Sequence, residues 1–365
     1  MKNKLITTAL VGSMFGFAIS SAVAQTTVTG NLDIAYHAVS GKGTDTATNP
    51  SYRGFGQEQQ INIQNKGKLS NGMDYAAGFS WELDGSEALG GDSTAAAASN
   101  DSTNARQENV FIDLLVNKDL TLSISADHMP NTDVTMTNLV GWGYLGGQGI
   151  QNNSSSYPTS LNDGGYGIGF TYNLGPARLT LQHQPNPGKA AGFNDTGHTM
   201  ESQEDGDENA KVEGVLRGDF GVKGLDVLIG FQRQDGRRSN ANDENGQRYA
   251  AKYNFGQVTV AADYIKLDGQ ARTLTGTSNS SVVEELKGRS VGIAYALTPA
   301  LSIGYTQSKA ETSAAGTEDE KVKMFAAGYN LGAVTVQAQV RDVDNAAGVA
   351  TADGKIGSVK LSTKF

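Results

Sequence analysis

From Arg248 to Lys266 the chain alternates. Tyr249, Ala251, Tyr253 and Phe255 take every second position, and Val258, Val260, Ala262 and Tyr264 then do the same across a tight Gly256-Gln257 turn. The interleaved residues are Arg248, Ala250, Lys252, Asn254, Thr259, Ala261 and Asp263. A period of two puts the two sets on opposite faces of a strand pair, one apolar and one small or polar. Aromatics mark the borders of the apolar face, at Tyr253, Phe255 and Tyr264. Amphipathic rings settle at a membrane–water interface, whereas a soluble sheet has no reason to ring its buried face with tyrosine. The stretch therefore predicts one hairpin of a transmembrane β-barrel.

The pattern recurs along the chain. Val28, Leu32, Ile34 and Tyr36 alternate with polar partners, as do Ile61 and Ile63, and then Tyr75, Ala77, Phe79, Trp81 and Leu83. Arg106 to Val116 reads as a fourth strand, apolar on both parities, so its faces stay unassigned; Leu120 to Asp127 reads as the fifth. Later segments centre on Ile168, Leu179, Leu216, Ile229, the opening hairpin, Ile293, Ile303, Ala327, Val336 and Leu361. Sixteen strands result, joined alternately by short turns and long loops. That is the outer-membrane arrangement, with short periplasmic turns and long extracellular loops. The turn motif repeats as Tyr172-Asn173-Leu174-Gly175, Tyr253-Asn254-Phe255-Gly256 and Tyr329-Asn330-Leu331-Gly332. All seven prolines fall in loops or turns, where no ladder hydrogen bond is lost.

Residues 1–24 read as a cleavable signal peptide, with Lys2 and Lys4 before an apolar run and Ala22-Val23-Ala24 as the cleavage site. Residues 25–365 then form the barrel. Beyond the signal no window approaches ~18 unbroken apolar residues, so no membrane helix is expected. The absence of cysteine excludes a disulfide framework and thiol chemistry. Net charge is −9, more negative still without the signal's two lysines, which argues against a nucleic-acid partner. Hydrophobic content of 38% is low for a chain of 365 residues with a buried core, and a wet barrel interior accounts for the deficit.

With its signal, its strand count, Arg106-Gln107 opening strand 4, a long third loop after Ala126-Asp127 and a terminal Phe365, the chain resembles the Gram-negative general porins. The resemblance covers residues 25–365. It implies a homotrimer of water-filled, sixteen-stranded barrels, each narrowed by its third loop folded inward. It also implies that Phe365 is read by the barrel-assembly machinery. The third loop, Met129 to Asp163, lacks the acidic cluster that enteric porins carry there.

Charge facing a narrow lumen biases what passes. Parity sets Lys66, Arg178, Arg217, Arg248, Lys252, Arg341, Lys360 and Lys364 on the water side, with Asp74, Glu82, Glu213 and Asp263. The resemblance adds Arg106. Asp133 and Asp163 are the charges of the inward-loop candidate; Trp142 and Tyr144 either narrow the pore, stack on sugar faces or pack the loop on the wall. Gly141, Gly143 and Gly146 spell G-x-G-x-x-G without the strand and helix a dinucleotide site needs. The acidic run Glu201, Glu204, Asp205, Asp207 and Glu208 lacks EF-hand spacing but could bind a divalent cation weakly or bridge lipopolysaccharide phosphates. His37, His128, His183 and His198 are dispersed, and no catalytic motif accompanies them.

The expected function is passive diffusion of small hydrophilic solutes and ions across the outer membrane, with weak cation preference and no cofactor. Alternatives are a sugar- or peptide-specific channel, a barrel enzyme and a soluble secreted β-protein.

Overall fold

The computed structural model describes residues 24–42, 51–85, 105–126, 136–142, 145, 157–158, 166–185, 210–234, 243–273, 282–313 and 316–365. The first eight strands are β1 (Gln25–Gly41), β2 (Ser51–Lys68), β3 (Asp74–Gly85), β4 (Ala105–Leu115), β5 (Leu120–Ala126), β6 (Tyr166–Asn173), β7 (Ala177–Gln184) and β8 (Lys211–Gly218). The second eight are β9 (Leu225–Gln234), β10 (Glu244–Phe255), β11 (Val258–Thr273), β12 (Val282–Ala296), β13 (Leu301–Thr312), β14 (Glu320–Asn330), β15 (Val334–Asp344) and β16 (Gly354–Lys364). Each pairs antiparallel with its neighbours in sequence, and β1 pairs with β16, closing the sheet. The sixteen-stranded antiparallel barrel expected from the alternation is the fold observed.

Alternate residues build the outer skin. Val28, Phe55, Ile112, Ile168, Val291 and Phe325 are exposed on one face, while Ser80, Ser123, Gln182, Ser290, Thr306 and Gln339 are buried on the other. Aromatic contacts mark both borders of the skin. Tyr36–Phe55, Tyr249–Tyr264 and Tyr305–Phe325 meet at centroid distances of 5.1, 6.4 and 4.7 Å, and Tyr253–Phe255 meet at 5.8 Å by the turns. In the central hairpin Phe255 pairs with Val258 across two residues, and Gly256 has φ +85°, the mirror-turn geometry that suits twisted strands.

Two details differ from the sequence reading. Several strands run well beyond the apolar band: β2 begins at Ser51, well before the Ile61 and Ile63 that signalled it, and pairs there with Ser40. β12 begins at Val282, and its outward positions beyond Val291 hold Arg289, Lys287 and Glu285. Hydrogen-bond ladders continue in water without any apolar signal, so hydrophobic period under-reads them. There the charges pair on the outer face, Lys266 with Glu285 across β11 and β12 at 3.0 Å and Lys309 with Glu311 along β13 at 2.8 Å.

The second detail is β4. Register slips between Gly78 and Ser80, opposite Asn109 at φ +49°. One inserted residue exchanges the faces of everything beyond it. Ile112 is therefore exposed while Phe111 and Asp113 are buried, and the doubly apolar reading of strand 4 is two parities joined at a bulge.

The seam between β1 and β16 is completed by Phe365, which exchanges backbone hydrogen bonds with Gly30 at 2.8 and 3.0 Å. A Cβ on Gly30 would stand 2.6 Å from the Phe365 ring and 2.8 Å from the Gln60 carbonyl. Gly357, farther along the same seam opposite Ala38, has nothing closer than 4.0 Å. Gly30→Leu should therefore cost about 1–3 kcal/mol of overpacking and lower the urea midpoint of the folded barrel in detergent. Gly357→Ala should leave it unchanged.

Candidate functional site: a lumen lined by the third loop

Among the described residues of the third connection, Met136 to Trp142, Leu145, Tyr157 and Pro158 lie against the inner face of the wall. Met136 packs with Val215, Leu228 and Ala250, on β8 to β10. The Thr137 hydroxyl meets Ser290 Oγ at 2.5 Å, and its carbonyl accepts from Thr306 Oγ1 at 2.9 Å. The Val140 carbonyl accepts from Gln337 Nε2 at 2.7 Å. Trp142 N–H donates to Gln339 Oε1 at 3.0 Å, and its carbonyl accepts from Arg341 Nη2 at 2.7 Å. The segment thus crosses from β8 to β15 as an inner layer, its backbone polar groups satisfied by wall side chains. It returns through Leu145, whose carbonyl accepts from Ser308 Oγ at 2.7 Å, and Tyr157, whose hydroxyl donates to Ser290 at 3.2 Å. Burial, with Asp263 nearby, holds the Tyr157 phenol above its ordinary pKa, so it remains a neutral donor.

The wall is shaped for this contact. A Cβ on Gly292 would stand 2.2 Å from the Thr137 carbonyl oxygen, and one on Gly304 would stand 2.8 Å from Val140. Gly288 leaves equal room for Pro158, and Gly141 fits against Gln339, with 2.7 Å to its Oε1 from a built Cβ. Gly141 is therefore a close-approach residue, which accounts for the first glycine of the G-x-G-x-x-G string without any nucleotide. Sequence reasoning missed this landing strip. Its signal was present: inward positions of β12 to β14 read Ser290, Gly292, Ala294, Gly304, Thr306, Ala326 and Gly328. Small residues are what a wall needs to receive a backbone, whereas water makes no such demand.

The candidate charges separate into three groups. Arg248 and Arg341 share the inward face but lie behind the loop, 2% and 6% exposed. Arg248 makes a two-point contact with Asp263 at 3.2 and 2.6 Å. Arg341 anchors Trp142. Lys360 stands at the loop's far edge, 2.7 Å from Asp33 and 5.5 Å from the Trp142 ring centroid, a cation–π contact. Arg217 and Lys252 gather near the short-turn end around Asp226, which Arg217 holds at 3.0 and 2.7 Å and Lys252 at 3.3 Å, and Arg178 lies opposite Arg217 on β7. Register sets Arg106 opposite Glu82. Asp133, Tyr144, Asp163 and the acidic run 201–208 lie outside the described residues.

A lumen with an inner loop layer, beneath a two-girdled apolar skin, is the geometry of a transmembrane pore. The family model described as "Gram-negative porin" matches residues 7–348. The chain belongs to the Gram-negative porins. No curated protein matches its sequence. Among solved structures, the anion-selective porin from Comamonas acidovorans aligns with TM-score 0.66 and 13% identity, over 94% of this chain and all of that one. A loop L8 deletion mutant of OmpT, an outer membrane protein of Vibrio cholerae, aligns with TM-score 0.62 and 11% identity, over 94% and 99%. A mutant of the Rh. blastica porin aligns at 0.54 and 13%, over 93% and 100%. This porin is an outer-membrane channel for passive diffusion.

Two outcomes follow for the porin's inner layer. Arg248→Ala leaves Asp263 buried beside an emptied position. It should destabilise the barrel by about 3–5 kcal/mol, read as a lowered urea midpoint in detergent. Gly292→Val should push Thr137 off the wall, changing single-channel conductance and open-channel noise while the far-ultraviolet circular dichroism stays that of a full barrel.

Proposed function

We propose that this porin is a general diffusion pore, which sorts solutes by size in the gap between the third-loop layer and the wall across from it. The observation that carries this is the anchoring of the loop. Five hydrogen bonds from its backbone reach inward side chains of β13 and β15, so the gap has a fixed edge. A fixed, water-filled gap passes the neutral solutes that fit it, without a binding step that saturates their flux. Inward positions of β2, β6 and β7 are hydrophilic, with Gln60, Asn62, Gln64, Lys66, Thr171 and Thr180 part-exposed.

The remaining expectations belong to the same proposal. Cleavage after Ala24 would release a chain whose first strand starts at Gln25. Three such barrels would assemble as a homotrimer in outer-membrane lipid and lipopolysaccharide, with Phe365 recognised during assembly by the barrel-assembly machinery. The acidic loop 201–208 is a candidate for weak divalent-cation binding, and no cofactor is required. Nor is catalysis part of the proposal. His37 Nδ1 and Ser358 Oγ are 2.7 Å apart, but as direct cross-strand neighbours, and no other group hydrogen-bonds that imidazole among the described residues. An acid–base pair needs a third group to orient the ring.

Conductance of the porin in planar bilayers should rise linearly with salt, and sugar flux into proteoliposomes should fall smoothly with solute size. Saturating flux for one sugar or peptide would replace the general pore with a specific one.

A further inference from the structure

We infer that Arg178, Arg217 and Lys252 form a binding site for small oxyanions of the phosphate type, on the inner wall just beneath the third-loop layer. The inference rests on the channel reading, because the ligand reaches the site through the lumen. The placement comes from the strands. Met136 rests on Val215, Leu228 and Ala250. Arg217, Asp226 and Lys252 follow on the same three strands, each two residues nearer the short turns and on the same face. The cluster is therefore the next layer below the loop, where a solute leaving the gap arrives.

The charges do not balance there. Asp226 is shared by Arg217 at 2.7 Å and Lys252 at 3.3 Å, so one carboxylate already serves two cations. Arg178 lies directly opposite Arg217 across β7 and β8. It is exposed to the lumen and has no ion pair among the described residues. Like charges placed directly opposite destabilise a sheet unless something of opposite sign joins them. Elsewhere on the described inner wall Arg248 pairs with Asp263 and Lys360 with Asp33, and Arg341 is held behind the loop by the Trp142 carbonyl. The surroundings of the trio suit an anion. Thr171 and Thr180, whose hydroxyls meet at 3.2 Å, and Asn254 with Thr259 at 3.0 Å, supply neutral donors on neighbouring inward positions. A phosphate between Arg178 and Arg217 would take charge-assisted hydrogen bonds from a planar fork and relieve the repulsion.

The test uses the whole porin in planar bilayers at fixed potassium chloride, with inorganic phosphate as the probe. Phosphate should lower the chloride-carried current with a saturable concentration dependence. Arg178→Gln should weaken that effect about tenfold, the loss of one charge-assisted hydrogen bond, and shift the reversal potential in a salt gradient toward cations. Arg178→Lys should retain most of it, and Lys323→Gln on the outer face should change nothing. A phosphate effect equal in wild type and Arg178→Gln would overturn the site while leaving the channel standing. So would no phosphate effect at all in a conducting pore. A protein that inserts but carries no current would remove the channel itself, and the site with it.

Discussion

A chain in lipid has no solvent for its backbone. Every N–H and C=O within the hydrocarbon must find a partner in the protein, and a sheet meets that demand only by having no edge. In this porin the demand is met where β1 pairs with β16 along eleven residues, from Asn31–Lys364 to Gly41–Gly354. Closure then dictates the remaining chemistry. One face of every strand must satisfy lipid and the other is free to be wet, which is why 38% hydrophobic residues suffice for so large a fold. The same closure defines an inside, and the third loop has somewhere to go.

Inside, the logic of satisfaction repeats on a smaller scale. The loop brings exposed backbone into a narrow space, and the wall answers with hydroxyls and amides: Ser308, Thr306, Gln337 and Gln339. Glycine at positions 292 and 304 lets the two backbones approach to contact distance. Charge plays a structural part here as well. Arg248 and Arg341 would face water in an empty barrel, yet the loop converts them into buried supports, one paired to Asp263 and one bonded to the Trp142 carbonyl. What remains available to a passing solute is a smaller set of groups than parity alone gives.

That difference shows what a linear pattern can carry. Face and fold were legible, because a period of two over an apolar band has one economical explanation, and the repeated Tyr-Asn-x-Gly turns fixed the topology. Strand ends were not, since β12 continues for nine residues of mostly polar sequence before Val291, held by a ladder that leaves no hydrophobic trace. The faces of β4 were not, because a single residue near Asn109 resets them. At the site, parity named the right face for Arg178, Arg217, Arg248, Lys252, Arg341 and Lys360. It had no access to depth behind the loop, which depends on contacts between residues such as Trp142 and Arg341, about two hundred positions apart. Those contacts leave only an indirect sign, the run of small inward residues on β12 to β14.

The β1–β16 seam has a further meaning for how this molecule comes into being. Its partners lie at opposite ends of the sequence, so the bond that abolishes the edge is the one with the longest loop to close, and its entropy must be met before any reward arrives. Until then each growing sheet presents two unpaired borders and an uncovered greasy face to whatever surrounds it. Such an intermediate is prone to aggregate in water, and closing the ring removes both borders in a single step.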